Sequence, residues 1–478
     1  MSDYKHGAYA VEGGQQDYTT PADVGTIPVY VACAPVHQLA DYQNAVRTPL
    51  LINSWQDAIR KIGYSELWTD FGLCEAVYAH FRNNVRAIGP IVVINVLDPE
   101  ERRAEEETTK TLTFVKRAAV IDDPYVILST FEIEGKVAGT DYRAAYSDDG
   151  QQVIVRDLTG SMTAGASAAY FRVEPSTVAD VDIVQCIQEV VPLVYYASAQ
   201  IPTILCAPGW SHKPAVFSAL VNMQSQINGH WYAWINADIE SSTVKTIDSA
   251  IAAKDAYADS SAACALLWPM AKKGTHKFHA SVLNTVTMQW VDFDNGNVPY
   301  ETPSNKRIDI DGLCLADGSV ISFDQTQANE LNAAGIDTMT YWEGTWRMWG
   351  PHTMLYSFGG SVASSDIFDC NVRMRHYVSN SFQRRYGDIV DKPMTRSRKD
   401  NILNDFQAWL DALIQSGALL AGSIIFNEAD NSASDLVEGN FEFSTTFTNP
   451  VPGKSLNNTV RWVADGLTSL LGGDSING

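Results

Sequence analysis

Apolar residues recur along this chain in two rhythms that alternate several times between its ends. Residues 27–33 (IPVYVAC) and 90–97 (PIVVINVL) are near-continuous apolar runs, the pattern of strands covered on both faces. Between them, Ser54 opens and Gly63 closes one helical stretch, and Leu73, Val77 and Phe81 share one face of a second. At Asp98-Pro99 the rhythm shortens. Residues 98–175 predict short strands at 111–115, 125–134, 142–146 and 153–155, the last two joined through Asp149-Gly150. After Ser176 the longer alternation returns, with strands at 203–206, 231–235 and 262–267. Helical faces lie between them, carried by Val216, Leu220, Met223 and Ile227 and then by Val244, Ile247 and Ile251.

The last third predicts two long helices. One places Met374, Val378, Phe382 and Tyr386 on a side; the other carries Ile402, Phe406, Trp409, Leu410 and Leu413 and stops at Gly417. Two strands follow, 423–427 and 440–448, the second alternating Phe441, Phe443, Thr445 and Phe447 onto one face. Both ends share a plan: a short strand lies beyond a polar connector, at 4–11 before GGQQDYTTPADVGT and at 459–463 after a proline-bearing stretch, 450–458. The fold class expected is α/β and α+β multidomain. Its divisions are an N-terminal arm (1–26), an α/β core in two parts (27–97 and 176–300) around an inserted β-rich domain (98–175), a C-terminal helix-plus-sheet domain (301–449) and a C-terminal arm (450–478).

A chain of 478 residues with 45% hydrophobic content exceeds one ordinary core. With 56 acidic against 34 basic residues its net charge is −22, which disfavours general nucleic-acid binding. The N-terminus shows no secretion signal and the longest apolar run is half a bilayer span, so folding in the cytoplasm without membrane insertion is expected. Seven cysteines stand singly, as reduced core thiols would. Basic residues concentrate between Arg373 and Lys399, where eight face only Asp388 and Asp391. Pairing with the chain's own carboxylates and a docking surface for an acidic partner both account for that island.

Signatures of catalysis break off. Gly453-Lys454-Ser455 lacks the first glycine of a phosphate loop, Thr448 standing in its place. Asp292-x-Asp294-Asn-Gly296 begins like a calcium loop but meets Pro303 at the twelfth position. His276 and His279 lack zinc-site spacing, Ser211 reads as a helix cap, and Asp309 and Asp311 read as solvated strand-edge carboxylates. No enzyme, cofactor or metal is expected.

Arg347-Met-Trp-Gly350, Asn371-Val-Arg-Met-Arg375, Leu410 to Leu419, Gly439-Asn-Phe-Glu-Phe443 and the Pro-x-Pro tail together resemble the contractile-tail sheath proteins of bacteriophages. So do Tyr4-Lys-His-Gly7, Val29 to Cys33, Ala207-Pro-Gly-Trp-Ser211 and Pro303-Ser-Asn305. The resemblance implies a virion tail protein assembled in the host cytoplasm. Its hexameric rings would stack around a tail tube and contract to drive that tube through a cell envelope, with baseplate and terminator proteins at the ends. It also implies arms that add strands to neighbouring subunits: Tyr4, Ala8, Tyr9, Val11, Val460 and Trp462 as donors, with Ile425, Phe441, Phe443 and Phe447 on the acceptor strands. Arg396, Arg398 and Lys399 would then contact the tube. The alternatives are the sheath of a bacteriocin-like or other bacterial injection device, a single-ring terminator, and a hydrolase-like α/β enzyme using the turn 207–212.

Overall fold

The computed structural model describes residues 25–471 apart from 163, 164, 256, 258 and 259. The N-terminal donor segment with Tyr4, Ala8, Tyr9 and Val11 therefore lies outside the described residues. The first elements are β1 (Pro28–Ala32), β2 (Pro49–Ile52), α1 (Trp55–Ile62), α2 (Gly72–Phe81) and β3 (Ile91–Asn95). Helix α1 begins where Ser54 Oγ accepts the Asp57 amide at 3.2 Å. It ends at Gly63, whose φ of +73° and 2.7 Å approach of a would-be Cβ to Pro35 O leave room for glycine alone.

Six short strands follow: β4 (Thr108–Leu112), β5 (Ala118–Ile121), β6 (Glu132–Ile133), β7 (Tyr142–Tyr146), β8 (Val153–Asp157) and β9 (Ala166–Tyr170). They form two three-stranded sheets, β4-β9-β6 and β5-β8-β7. Their side chains close a hydrophobic cluster of their own, including Leu112, Ile121, Phe131, Val155 and Tyr170. Strand β5 is absent from the sequence reading because the tight turn before it uses Lys116 and Arg117 at φ +50° and +66°, where glycine or asparagine is the usual signal. The strand expected over 125–134 is mostly irregular: Asp123 caps the Tyr125 amide at 3.0 Å and a 3-10 turn spans Leu128–Thr130 before β6.

Beyond this come α3 (Asp180–Glu189), α4 (Val194–Ser198), β10 (Ile204–Cys206), α5 (Pro214–Met223), β11 (Trp234–Asp238), α6 (Ile247–Asp255) and β12 (Cys264–Leu267). One six-stranded sheet, ordered β12-β11-β10-β1-β3-β2, joins the segments on either side of the β-rich stretch. Val29 on β1 pairs in parallel with Leu205 on β10 and with Val92 on β3. Only β2 runs antiparallel to its neighbour. Strand β11 starts later than the sequence suggests because Ile227 and Trp231 close a turn through Gly229.

The chain continues through β13 (Met270–Lys273), β14 (His276–Phe278), α7 (Ala280–Asp294), β15 (Gly312–Cys314), β16 (Val320–Ile321), α8 (Gln325–Ala333), β17 (Thr338–Trp342) and β18 (Thr345–Trp349). Helix α7 is buried on nearly every side, including Ser281, Asn284, Thr285 and Gln289, so it carries no amphipathic stripe to read. Last come α9 (Asp369–Tyr386), α10 (Arg396–Gln415), β19 (Ala421–Ile425), α11 (Ala433–Glu438) and β20 (Ser444–Thr448). All seven cysteines are buried free thiols.

Candidate assembly interface

The two long helices owe their packing to the apolar faces read from sequence. Phe382 on α9 meets Phe406 on α10 edge-to-face at 5.2 Å, and Tyr377 meets Trp409 at 5.7 Å. Strands β19 and β20 pair antiparallel, Ala421 opposite Thr448 and Ile425 opposite Ser444. A two-stranded ribbon is marginal alone; this one lays its inner face on the helices. Phe443 touches Phe382 and Phe426 at 5.9 and 5.2 Å, and Ile424 is buried. Phe447 is half-buried on the same side and Phe441 is half-buried ahead of the strand, whereas Ile425 points outward, 52% exposed. Phe441 and Phe443 precede the strand rather than lie within it, because Asn431 binds the Glu442 backbone with its side chain, receiving its N–H at 2.8 Å and donating to its carbonyl at 2.9 Å.

After β20 the chain runs on with no regular structure to residue 463. Lys454 fastens it to the body, its Nζ 3.0 Å from Tyr356 Oη and over the same ring. Tyr356 in turn stacks on His352 at 3.6 Å between ring centres. Past that point Leu456, Val460, Trp462 and Val463 are 92, 84, 78 and 68% exposed. Four large apolar side chains thus stand in solvent on one short segment, an apolar surface of the kind that interaction sites use.

The basic island does not form one patch. Arg373 is buried and bonded to Asp292 on α7, so it belongs to the core rather than to an exposed face. Arg375 pairs with Asp366 at 3.0 Å and Arg385 lies over Trp409. Arg396, Arg398 and Lys399 sit in the first turn of α10, which Thr395 caps by accepting the Arg398 amide at 3.2 Å. Arg398 donates to the Pro393 carbonyl and Lys399 to Asp400 at 2.8 Å, while the Arg396 side chain is 92% exposed. Cations at this end oppose the helix dipole, a local cost that an anionic surface would relieve.

The carboxyl ends of the parallel strands frame a cleft of about 310 Å³ beside the turn 207–212. Three histidine–glutamate pairs line it: His212 with Glu240 at 2.8 Å, His279 with Glu75 at 2.8 Å, and His276 with Glu66, stacked on Trp68. Burial lowers the His279 pKa, but the Glu75 carboxylate, helped by Asp238 and Glu240, outweighs it and holds the ring at about 9. Asp238 accepts from the Ser281 amide and hydroxyl. Ser211 is not a helix cap; its Oγ accepts the Asp238 amide at 3.0 Å, and α5 starts with Pro214 after Lys213. The groups of this cleft bond to one another, which fits a bracing role. Asp309 and Asp311, read as solvated, accept from Lys273 and from the Gly274 amide. Among the described residues no cluster could hold a metal ion, and no helix is long and apolar enough to cross a membrane.

No protein-family model matches the sequence. The chain is 24% identical over 479 aligned residues to the tail sheath protein of Burkholderia phage BcepMu, covering 94% of each chain. Its fold matches a chain of the contracted sheath complex of the PVC extracellular contractile injection system, with a TM-score of 0.58 at 13% identity over 97% of this chain and 100% of that one. A chain of the anti-feeding prophage baseplate matches with the same score, identity and coverage. In sequence the likeness to that phage tail sheath protein runs nearly end to end, and the fold is shared with the injection-system chains.

Proposed function

We propose that this chain is the structural subunit of a contractile tail sheath that polymerises around a tail tube and contracts to drive the tube through a cell envelope. The observation that carries this reading is coverage: the likeness to a phage tail sheath protein spans 94% of both chains. Stacked hexameric rings, assembly in the host cytoplasm, and contacts with tube, baseplate and terminator proteins form the finer part of the proposal. The tail supports it, since residues 456–463 expose Val460 and Trp462 beyond the Lys454 anchor. A strand added to a sheet edge gains main-chain hydrogen bonds of ~0.5–1.5 kcal/mol each while its tether swings. Subunits could thus change packing without dissociating. Segment 4–11 is proposed as a second donor, and Arg396, Arg398 and Lys399 as the tube contact. The fold shared with injection-system chains supports a second setting, a bacterial particle without a genome. Negative-stain microscopy of the purified protein tests the reading: long hollow cylinders support it, and protein that stays monomeric or closes into single rings overturns it.

A further inference from the structure

The two sheets of the β-rich stretch pack on one apolar cluster, which takes Leu112, Ile133 and Tyr170 from β4-β9-β6 and Ile121, Tyr142 and Val155 from β5-β8-β7. Alternation along each strand sends the intervening side chains outward, so the two outer faces look away from each other. On β5-β8-β7 that face has two rows. Ala118, Arg156 and Arg143 stand side by side in one, and Val120, Ile154 and Ala145 in the next. On β4-β9-β6 one row is Thr109, Ala169 and Glu132. The next is Thr111, Ser167 and Glu134, whose amide donates to the Ser167 carbonyl at 3.0 Å.

The charges on these faces are unused. Arg143, Arg156, Glu132 and Glu134 are exposed, and among the described residues none of them has an ion pair or a side-chain hydrogen bond. Arg143 and Arg156 are also direct cross-strand neighbours, a like-charge pairing that costs a sheet stability. The nearby carboxylates are engaged elsewhere: Asp157 accepts the amides of Thr159, Gly160 and Met162, and Asp141 accepts that of Val137. The spacings of the two faces match. Opposed residues of a sheet have Cα atoms about 5 Å apart and alternate residues of a strand about 7 Å apart, so two arginines on one face can each meet one glutamate on another. The small side chains beside the glutamates leave room for the Val120 row, where Val120 itself is 53% exposed.

Both faces are held in a fixed direction, because the β-rich stretch is fastened to the body. Tyr125 Oη donates to Asp70 at 2.7 Å, the Glu66 amide donates to the Asp149 carbonyl at 3.1 Å, and Arg102 reaches both carboxylate oxygens of Asp182 at 2.8 Å. A chain of net charge −22 repels nucleic acid and anionic membranes as a whole. The arginines therefore call for an anionic group brought close by other contacts, and a second copy supplies one. A face that fits a different face of the next copy builds an open, repeating array rather than a closed pair.

We propose that the outer face of β5-β8-β7, through Arg143 and Arg156, docks on the outer face of β4-β9-β6 of a second copy of this chain, at Glu132 and Glu134. This rests on the sheath reading above and adds a contact that uses neither arm, a head-to-tail link between the β-rich stretches of neighbouring copies.

Charge reversal in the full chain tests this. Arg143→Glu with Arg156→Glu makes both faces acidic, and Glu132→Lys with Glu134→Lys makes both basic. Each pair is expected to raise the critical concentration for cylinders about tenfold at low salt, read by sedimentation. The melting temperature is expected to stay within about 2 °C of the parent, since all four side chains are exposed. An equal mixture of the two variants restores opposite charges between unlike copies, and the variant carrying all four changes restores them between like ones; both are expected to polymerise within about threefold of the parent concentration. Reversals that leave the critical concentration unmoved, or a mixture of folded variants that polymerises no better than either alone, overturn the proposal while cylinders of the parent keep the sheath reading in place. Parent protein that forms no cylinders overturns the sheath reading, and this contact with it.

Discussion

The Arg373 guanidinium on α9 is bonded to the Asp292 carboxylate at the end of α7, the two side chains 4% and 0% exposed. Thr26 Oγ1 donates to the same carboxylate at 2.5 Å, so three distant segments meet on one buried anion. Removing one member of such a pair strands the other. Arg373→Met is expected to cost about 3–5 kcal/mol in urea unfolding, and Arg373→Met with Asp292→Leu to recover more than half of it. Equal loss in both would show that the pair is not the source.

Asp369, at the start of α9, gives a pH dependence of definite sign. Burial raises its pKa to about 7, against the pull of Arg373, the Cys370 amide and the Thr302 hydroxyl. The folded chain therefore holds this proton across a range in which the unfolded chain has released it, and the contribution to stability falls as pH rises from about 4 to about 7. Asp369→Asn should remove that slope, with a difference from the parent on the order of 4 kcal/mol at most between the two pH values.

His279 moves in a different window. Its pKa of about 9 means that the stabilisation from its Glu75 pair is full below its ordinary value of 6.5 and is lost as pH rises through 9. Glu75→Gln should lower the His279 pKa, because burial then acts with less opposition. NMR titration of the ring is the measurement, and a value left near 9 would mean that Glu75 is not the cause.

The tail separates folding from assembly. Trp462 and Val460 are 78 and 84% exposed in the single chain, so Trp462→Ala or truncation after Ser455 should change the melting temperature by no more than about 2 °C. Polymer should be lost or its critical concentration raised at least about tenfold, read by sedimentation. Intact cylinders from the truncated protein would remove this segment from the assembly.

Reversing Arg396, Arg398 and Lys399 to glutamate sets the two terms against each other. Acids in the first turn of α10 suit its dipole, so stability should hold or rise by about 0.3–1 kcal/mol per site at low salt. Co-sedimentation with tube protein should fall. Retained tube binding would assign that contact elsewhere.

Much of the architecture was legible because it depends on local periodicity. The faces of α9 and α10, the caps of α1 at Ser54 and Gly63, and the buried runs of β1 and β3 follow from side-chain spacing over a few residues. The misses share a cause. Helix α7 is buried all round and so loses its stripe; the Lys116–Arg117 turn uses residues that do not announce a left-handed backbone; Arg373 looks like a surface cation until Asp292 is seen beside it.

By itself the sequence determined α1, α2, α9 and α10, about half of the strands and the family resemblance, since these rest on neighbours along the chain. Only the tertiary structure decided that β1 joins strands from both sides of the β-rich stretch, that Asp292 and Arg373 share one buried site, and that the two sheets of the β-rich stretch turn Glu132 and Arg156 to opposite sides. Those arrangements join residues far apart in sequence, and no local pattern encodes which charged groups a folded neighbour will leave unpaired.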